Sequence, residues 1–217
     1  MKNKLLLYTI VSTLFILTQS ASAQGVISRI GSFDNWVVLY SGQAFAVSWD
    51  QTIPYNDVSV YADLTAFGRT SETGRAFLTT SLGPGTTQAV ASTTFTFPSS
   101  PNDLLLFSGL NLTANQYYLS LVGDSPSWGS GWVGSDNPTT TTGPDASLGS
   151  SYGFTSPGTP FVPSSPTDNG GSIPDFVVTG TAIPEPSSYG ALAAVAAFCF
   201  AAYQKHRWKT RLPSAIV

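Results

Sequence analysis

The sequence predicts an all-β protein, an antiparallel β-sandwich between two apolar chain ends. Three observations lead to this prediction. Apolar and polar residues alternate at period two along the middle of the chain, Gly- and Pro-rich turns separate these stretches, and no helical period occurs outside the two ends. Charge is also scarce, since 10% of the 217 residues are charged, whereas about a quarter is usual for a soluble domain.

The N-terminus, residues 1–23, has the composition of a secretory signal peptide. Lys2 and Lys4 precede an apolar run from Leu5 to Leu17. Small residues then define a cleavage site: Ala21 and Ala23, directly before Gln24. We therefore expect export, with removal of residues 1–23 by a signal peptidase. The alternative is an uncleaved membrane anchor, which needs about 20 apolar residues to span a bilayer.

Residues 24–182 form the predicted sandwich. Five stretches carry the period-two pattern or are rich in Thr, Tyr and Phe: Phe45–Trp49, Val58–Ala66, Ser92–Phe97, Tyr117–Val122 and Phe176–Gly180. This region contains three Arg and no Lys against eleven Asp and Glu, a net charge of −8. A basic surface for nucleic acid is therefore excluded.

The stretch 125–174 is dominated by Ser, Thr, Gly, Pro and Asp, yet it contains recurrent aromatic residues. We interpret it as long sandwich loops that are closed by a last strand at Phe176. A linker is the alternative, because structureless loops beyond about 12 to 15 residues are uncommon in compact domains.

The C-terminus, residues 183–211, combines three elements in a fixed order. The motif at 183–187 contains Pro184, Glu185 and Pro186, and each proline fixes φ and keeps the segment extended. An apolar transmembrane helix is predicted at 189–203, and at roughly 22 Å it is long enough to span a thin membrane. A basic cluster follows at 205–211: Lys205, Arg207, Lys209 and Arg211. By the positive-inside bias this cluster stays cytoplasmic, so residues 24–182 face outward.

This ordered combination resembles the PEP-CTERM sorting signal of Gram-negative bacteria. The resemblance implies recognition by an exosortase at the inner membrane, cleavage near Pro184-Glu185-Pro186, and delivery to the cell surface or extracellular matrix. Proteins of this kind occur in bacteria that make exopolysaccharide and biofilm. The Ala-rich helix and the residues after Arg211 depart from the family's pattern, and an ordinary single-pass anchor with a Pro-rich stalk is the alternative.

The middle of the chain resembles jelly-roll ectodomains that precede PEP-CTERM tails. The similarity rests on the order of three segments: Ala46–Trp49, Val58–Ala66 and Leu110–Leu119, the last followed by a Gly-rich segment with Trp. It implies a jelly-roll sandwich like those of carbohydrate-binding or galactose-binding modules. It does not imply a ligand.

Catalytic chemistry is largely excluded by composition. The only histidine, His206, lies in the basic cluster, and the only cysteine, Cys199, lies in the apolar helix. Residues 24–182 therefore lack a Ser-His-Asp triad, a histidine zinc site, a disulfide and a lysine nucleophile. Paired carboxylates, as in glycosidases, are the only catalytic alternative left, and we expect no catalytic residue.

Binding is the remaining class of function. Trp128 and Trp132, in a Gly-rich segment, are expected to be exposed and to stack on sugar rings, with loop packing as the alternative. Further candidates for stacking are Trp36, Trp49, Tyr117, Tyr118 and Tyr152, and of these Trp49 is expected in the core.

Asp and Asn pairs such as Asp34-Asn35, Asn56-Asp57 and Asp136-Asn137 raise calcium as an alternative ligand. The other interpretation is that these residues cap turns. No cofactor is expected. The sequence as a whole predicts an exported, exosortase-processed, non-enzymatic surface or matrix protein, with a carbohydrate- or calcium-binding module as the first alternative and a secreted polysaccharide hydrolase as the second.

Overall fold

A computed structural model describes residues 24–69, 71–83, 89–126, 129–155, 167–168, 173–183 and 194–204. The chain divides into two compact units, Met1–Ala182 and Ile183–Val217. Several predicted features lie outside the described residues: Ala21 and Ala23 of the signal peptide, the sorting motif Pro184, Glu185 and Pro186, and the basic cluster Lys205, Arg207, Lys209 and Arg211.

The described part of the first unit is built from strands. In chain order they are β1 (Gln24–Ile30), β2 (Asn35–Leu39), β3 (Gln43–Gln51), β4 (Tyr55–Thr65), β5 (Thr73–Thr79), β6 (Ala91–Thr96), β7 (Asn102–Leu112), β8 (Asn115–Gly123), β9 (Ser130–Gly134), β10 (Thr139–Thr142), β11 (Ala146–Thr155), β12 (Thr167–Asp168) and β13 (Phe176–Ala182).

The strands form two antiparallel sheets. The first has the order β10-β1-β13-β4-β9-β2, with β7 also paired to β4, and the second has the order β12-β11-β3-β8-β5-β6. Every pairing between the strands is antiparallel. The predicted all-β sandwich is therefore confirmed.

Aromatic contacts join the two sheets in the core. Trp49 of β3 stacks on Tyr117 of β8 with ring centroids 5.7 Å apart, and it also meets Phe176 of β13 at 6.0 Å. Phe45 of β3 meets Trp132 of β9 edge-on at 6.5 Å. All five side chains are buried, and large aromatic surfaces contribute much of the hydrophobic stabilisation of such a core. The core position expected for Trp49 is confirmed.

Strand β3 is buried on both faces, whereas its alternating pattern predicted a half-buried strand. Phe45, Val47 and Trp49 belong to the main core. Ala44 and Ala46 point the other way and are also fully buried, in a second apolar cluster that includes Phe154. Alanine stands where a half-buried strand would have polar residues. Aromatic side chains of the second sheet can therefore cover the outer face of β3.

The stretch 125–174 contains strands that were not predicted. Strand β9 pairs with both β2 and β4, and β11 pairs with β3 over most of its length. The expectations of long loops and of a linker are both wrong for these ranges. The strands are rich in Ser, Gly and Thr, which supply backbone hydrogen bonds without an apolar alternation.

The second unit contains a helix, α1, at residues 194–204. Helical structure is therefore confirmed for most of the predicted segment 189–203, and residues 189–193 lie outside the described part. Val195, Phe198 and Phe200 are exposed on this helix. Within the described residues, no helix combines the length and the apolar character needed to cross a membrane.

Candidate functional site

Three aromatic side chains beside β2 form an exposed cluster, which we call the Trp36 patch: Phe33, Trp36 and Phe67. Their exposed fractions are 48%, 48% and 41%. The Trp36 ring lies 5.8 Å from the Phe33 ring at an interplanar angle of 31°, and 5.5 Å from the Phe67 ring at 63°. Adjacent exposed rings of this kind form a contiguous apolar surface, and such surfaces commonly mark binding sites.

Strand β9 pairs with β2 along the segment that contains Trp36. Trp36 lies opposite Val133 in the pairing of β2 with β9. Consecutive side chains of a strand point to opposite faces, so Val133 points away from the core that contains Trp132. Val133 is nevertheless fully buried, as expected for a residue covered by the indole ring opposite.

The Phe67 ring lies directly on the backbone of β9 at Gly131. A Cβ atom at Gly131 would be 2.9 Å from the Cζ atom of Phe67 and 3.2 Å from the carbonyl oxygen of Val37. Real Cβ contacts are essentially never that close to a ring atom. Glycine at this position therefore makes room for the ring.

The backbone at Phe67 is held in a conformation that is rare for a side chain of this size. Its φ is 49°, in the left-handed region. Hydrogen bonds hold the turn on both sides: the N–H of Ala66 donates to the carbonyl of Pro98 at 2.7 Å, and the N–H of Gly68 donates to that of Ser99 at 2.8 Å. The fold thus stabilises an unfavourable φ at a residue that presents its ring to solvent, a combination typical of functional sites.

A polar rim borders the Trp36 patch where β2 begins and β9 ends. The carboxylate of Asp34 accepts the N–H of Asp136 at 2.7 Å and the hydroxyl of Ser135 at 3.3 Å. The side-chain amide of Asn35 donates to the carboxylate of Asp136 at 3.1 Å. These bonds link two loops that are about 100 residues apart in sequence, and they place two carboxylates beside the rings.

A small cavity of about 80 Å³ adjoins Trp36. Its walls include Trp132, Ile173 and Pro174 on the apolar side and Asn35 and Ser135 on the polar side. Pockets that enclose a small ligand usually have about 300 to 1,000 Å³, so this cavity is too small for a sugar ring. A ring-shaped ligand would have to lie on the patch rather than inside the cavity.

The exposure expected of Trp132 is wrong. Its side chain is fully buried, and its indole N–H donates to the backbone carbonyl of Asp175 at 2.9 Å. The ring cannot serve as a stacking platform, because it belongs to the main core, where it meets Phe45 edge-on at 6.5 Å. Trp128, the other predicted stacking residue, lies outside the described residues.

Sequence reasoning named Trp36 only as one of several aromatic candidates. Its signal was local: Trp36 directly follows Asp34 and Asn35, whose polar side chains are typical of turns and place an aromatic ring at the end of a strand. The contribution of Phe33 and Phe67 could not be found in this way, because Phe67 reaches the patch only through the pairing of β4 with β9.

Two of the predicted calcium candidates come together, whereas Asn56-Asp57 lies on β4. Asp34-Asn35 and Asp136-Asn137 meet at the polar rim, where their side chains bond to each other and to backbone groups. In the part of the chain that the structure describes, no group of three or more acidic, His or Cys residues could hold a metal ion. The observed role of these residues there is to cap and join turns.

A second group of aromatic residues lies on the outer face of the second sheet. Tyr118 of β8 and Tyr152 of β11 have ring centroids 5.8 Å apart, and the Tyr118 hydroxyl donates to the side chain of Gln116 at 2.7 Å. Burial raises the pKa of Tyr118, with Tyr152 as a smaller cause. Both rings are only partly exposed. Ala46, beneath them, is fully buried, so this face is more closed than the Trp36 patch.

Two carboxylates lie within the first sheet near an arginine. The guanidinium of Arg29 approaches the carboxylate of Asp175 at 4.0 Å and donates to the carbonyl of Ile173 at 2.6 Å. The N–H of Asp63 donates to the backbone carbonyl of Asp175 at 3.2 Å. Burial raises the pKa of Asp63 to about 6, with Asp103 as a second cause. Burial likewise raises the pKa of Asp175 to about 6, while Arg29 partly opposes the rise.

A raised carboxyl pKa is also found in the general acids of glycosidases. Asp175, however, is only 2% exposed, so a polysaccharide could not contact it while the sandwich is closed. Its two carboxylate oxygens and one oxygen of Asp63 have no hydrogen-bond partner among the described residues. This pair therefore affects stability rather than forming an open cleft.

No protein-family model matches the chain, and no curated protein matches it either. Among solved structures, the chain is similar to a family 35 carbohydrate binding module from an environmental isolate, with 13% identity, a TM-score of 0.37, and coverage of 59% of this chain and 89% of that one. A family 35 module from Cellvibrio japonicus gives 14% identity, a TM-score of 0.34, and coverage of 60% and 96%.

A ruminal GH26 endo-β-1,4-mannanase is also similar, with 9% identity, a TM-score of 0.33 and coverage of 52% of this chain. The chain spans only 21% of the length of that enzyme, and 33% of a similar family two carbohydrate esterase from Cellvibrio japonicus. These likenesses are weak, so function has to be argued from the Trp36 patch itself.

Proposed function

We propose that this protein is an exported, non-catalytic surface or matrix protein whose sandwich binds polysaccharide through the Trp36 patch. One observation carries the proposal: the Trp36 ring contacts the rings of both Phe33 and Phe67, while each of the three residues is more than 40% exposed. The C–H faces of sugar rings are apolar and pack well on aromatic faces, whereas sugar hydroxyls need polar partners at the edge. The polar rim of Asp34, Asn35 and Asp136 supplies such partners.

The shape of the site favours a polymer over a small molecule. Pockets for small ligands usually enclose about 300 to 1,000 Å³ and bury most of the ligand. The cavity beside Trp36 is about 80 Å³, and the rings lie on the open surface. A chain of sugars can pass over such a surface and gain affinity from several weak contacts.

Preorganisation also supports binding at this patch. Gly131 and the hydrogen-bonded turn at Phe67 hold that ring in place before a ligand arrives. Binding is weakened by the conformational entropy lost when side chains must first be ordered. A ring that is already held in place loses less of this entropy.

Export and sorting complete the proposal. The sandwich would be released from residues 1–23 by a signal peptidase, which fits the small residues Ala21 and Ala23 before Gln24. An exosortase would then process the C-terminal segment at Pro184-Glu185-Pro186, with the inner membrane as an intermediate location and the cell surface or matrix as the destination. We further propose that the strands of the sandwich are connected as in a jelly roll, as the family resemblance implies.

Binding can be tested by affinity electrophoresis of the full-length protein in gels that contain soluble polysaccharides. Trp36→Ala should reduce affinity about tenfold or more, as expected for the loss of a central aromatic contact. Leu105→Ala is a matched control, because Leu105 is a large apolar side chain that is 47% exposed on β7. Equal retardation of wild type and Trp36→Ala by every polymer would contradict the proposed site.

Sorting can be tested separately in the bacterium that makes the protein. Glu185→Gln should leave the C-terminal segment attached, and mass spectrometry of the mature protein would show the extra residues. An ordinary anchor would give the same mass for wild type and variant. N-terminal sequencing of the exported protein checks the signal peptide, since a start at Met1 or Leu5 would contradict removal of residues 1–23.

A further inference from the structure

We infer that the polysaccharide bound at the Trp36 patch is uncharged, and that the site excludes uronate polymers. This inference rests on the proposed function and specifies its ligand class. Its basis is the charge and hydrogen-bonding character of the groups that surround the three rings.

The rim beside the rings is anionic. Asp34 and Asp136 are exposed and lie at the start of β2 and just after the end of β9. The hydrogen bonds between these loops hold both carboxylates at the end of β2 that carries Trp36. Two negative charges at a partly exposed site repel a third on an incoming ligand, most strongly at low salt.

The nearest cations do not reverse this charge. Arg69 follows Phe67 by two residues, and its guanidinium lies 3.8 Å from the carboxylate of Glu72. Arg29 is buried, and its guanidinium lies 4.0 Å from Asp175. Each arginine thus has an acidic partner close by, which leaves the rim carboxylates as the dominant charges at the patch.

The rim is also rich in acceptors. A carboxylate only accepts hydrogen bonds, so it suits the hydroxyl donors of a neutral sugar and not the carboxylate of a uronate. The side-chain amide of Asn35 already donates to Asp136, and the hydroxyl of Ser135 already donates to Asp34. The polar groups of the rim therefore offer mainly acceptors to a ligand.

Affinity electrophoresis of the full-length protein can test this with two sets of polymers. The neutral set is mixed-linkage β-glucan and galactomannan, and the uronate set is alginate and polygalacturonate. We expect binding to at least one neutral polymer, changed less than twofold between low and high salt, and at least tenfold weaker binding to uronates at low salt. The double variant Asp34→Asn with Asp136→Asn should narrow the difference between the two sets.

Two outcomes distinguish a failure of the inference about ligand charge from a failure of the proposed function. Uronate binding at low salt that equals or exceeds neutral binding, and that Trp36→Ala abolishes, would overturn the inference while the proposed site stands. Binding to no polymer at all would overturn the proposed function, and the inference with it.

Fluorescence quenching tests the charge at Trp36 without a glycan. The signal of Trp36 is the difference between wild type and Trp36→Phe. We compare the ratio of the caesium to the iodide quenching constant with the same ratio for free N-acetyltryptophanamide, because iodide is intrinsically the stronger quencher of indole. We expect this ratio to be at least twofold higher for Trp36 than for the free compound, because the rim attracts cations and repels anions, and we expect the double variant to remove the difference. A ratio in the wild type equal to that of the free compound would overturn the inference even if a neutral glycan binds.

Discussion

The indole N–H of Trp132 donates to the backbone carbonyl of Asp175 at 2.9 Å, and the N–H of Asp175 donates to the carbonyl of Val133 at 2.8 Å. These two bonds tie β9 to the residue that precedes β13, although β9 and β13 are not neighbours in the sheet. Trp132 lines the cavity beside Trp36 and also belongs to the main core, so its bond to Asp175 holds this wall of the cavity in place.

Trp132→Phe should destabilise the fold. It removes one of the two donors to the Asp175 carbonyl, the other being the N–H of Asp63, at a cost of about 1 kcal/mol, and it leaves a cavity where the larger indole packed. Urea unfolding should show a free energy of unfolding lower by about 2 to 4 kcal/mol. Trp36→Phe on the exposed surface should change it by less than about 1 kcal/mol. The same midpoint for both variants would contradict the role assigned to Trp132.

Stability should depend on pH through Asp63 and Asp175. Each carboxyl has a pKa of about 6 in the folded protein, against a usual value of 3.8. The folded state therefore holds these protons more tightly, and the resulting stabilisation is complete below pH 3.8 and lost as the pH rises through about 6. We expect the free energy of unfolding to fall by about 1 to 3 kcal/mol between about pH 5 and about pH 8.

Thermal unfolding of Asp63→Asn provides the matching variant. The change removes one of the two raised carboxyls, so the midpoint should vary less with pH and should be higher than that of wild type at about pH 8. Asp57→Asn, at an exposed position, serves as the control and should keep the wild-type pH dependence. A wild-type midpoint that rises from pH 5 to pH 8 would have the opposite sign to this prediction.

Gly131→Ala should disturb the Trp36 patch without unfolding the protein. The new methyl group would be 2.9 Å from the Phe67 ring, so the ring has to move, and polysaccharide affinity should fall severalfold. The fluorescence of Trp36, which contacts the Phe67 ring, and the affinity for polysaccharide can both be measured. Gly25→Ala is the control, since a Cβ there meets nothing within 4 Å, and it should leave both unchanged. Unchanged affinity in Gly131→Ala would show that the Phe67 position does not matter for binding.

Two buried serines should respond oppositely to replacement by alanine. The hydroxyl of Ser130 donates to the carbonyl of Leu39 at 2.9 Å, so Ser130→Ala should cost about 1 kcal/mol of stability. The hydroxyl of Ser120 is buried without a hydrogen-bond partner among the described residues. Ser120→Ala should therefore be neutral or stabilising by up to about 1 kcal/mol, because it removes an unsatisfied polar group. Chemical denaturation measures both, and equal losses would contradict this difference.

The fold class could be predicted from the sequence because some strands have one apolar face. Phe45, Val47 and Trp49 alternate with small residues, and all three lie in the main core. Strands such as β10 and β11 could not be predicted in this way. β10 is four exposed threonines, and half of the ten residues of β11 are Ser or Gly, so their positions depend on backbone pairing with distant strands rather than on a local pattern.

The site was harder to predict than the fold. Glycines beside Trp132 suggested an exposed loop, but in β9 they let the strand lie between β2 and β4 and let the Phe67 ring rest on Gly131. Trp132 is buried, the reverse of what the glycines suggested, and Trp36 is exposed instead. Whether a tryptophan is buried depends on the partners of its strand, which sequence alone does not specify for pairs so far apart along the chain.

Strand β13 runs along the first sheet from the cavity beside Trp36 to the last residue of the sandwich unit. It begins just after Pro174, which borders the cavity, and it ends at Ala182. Six steps along a strand span about 20 Å. Gln24 pairs with Gly180, so Gln24 and Ala182 lie at the same end of the sheet. With the proposed surface attachment through the C-terminal segment, the cavity end of β13 would lie about 20 Å from Ala182, which would leave the Trp36 patch accessible to polymer.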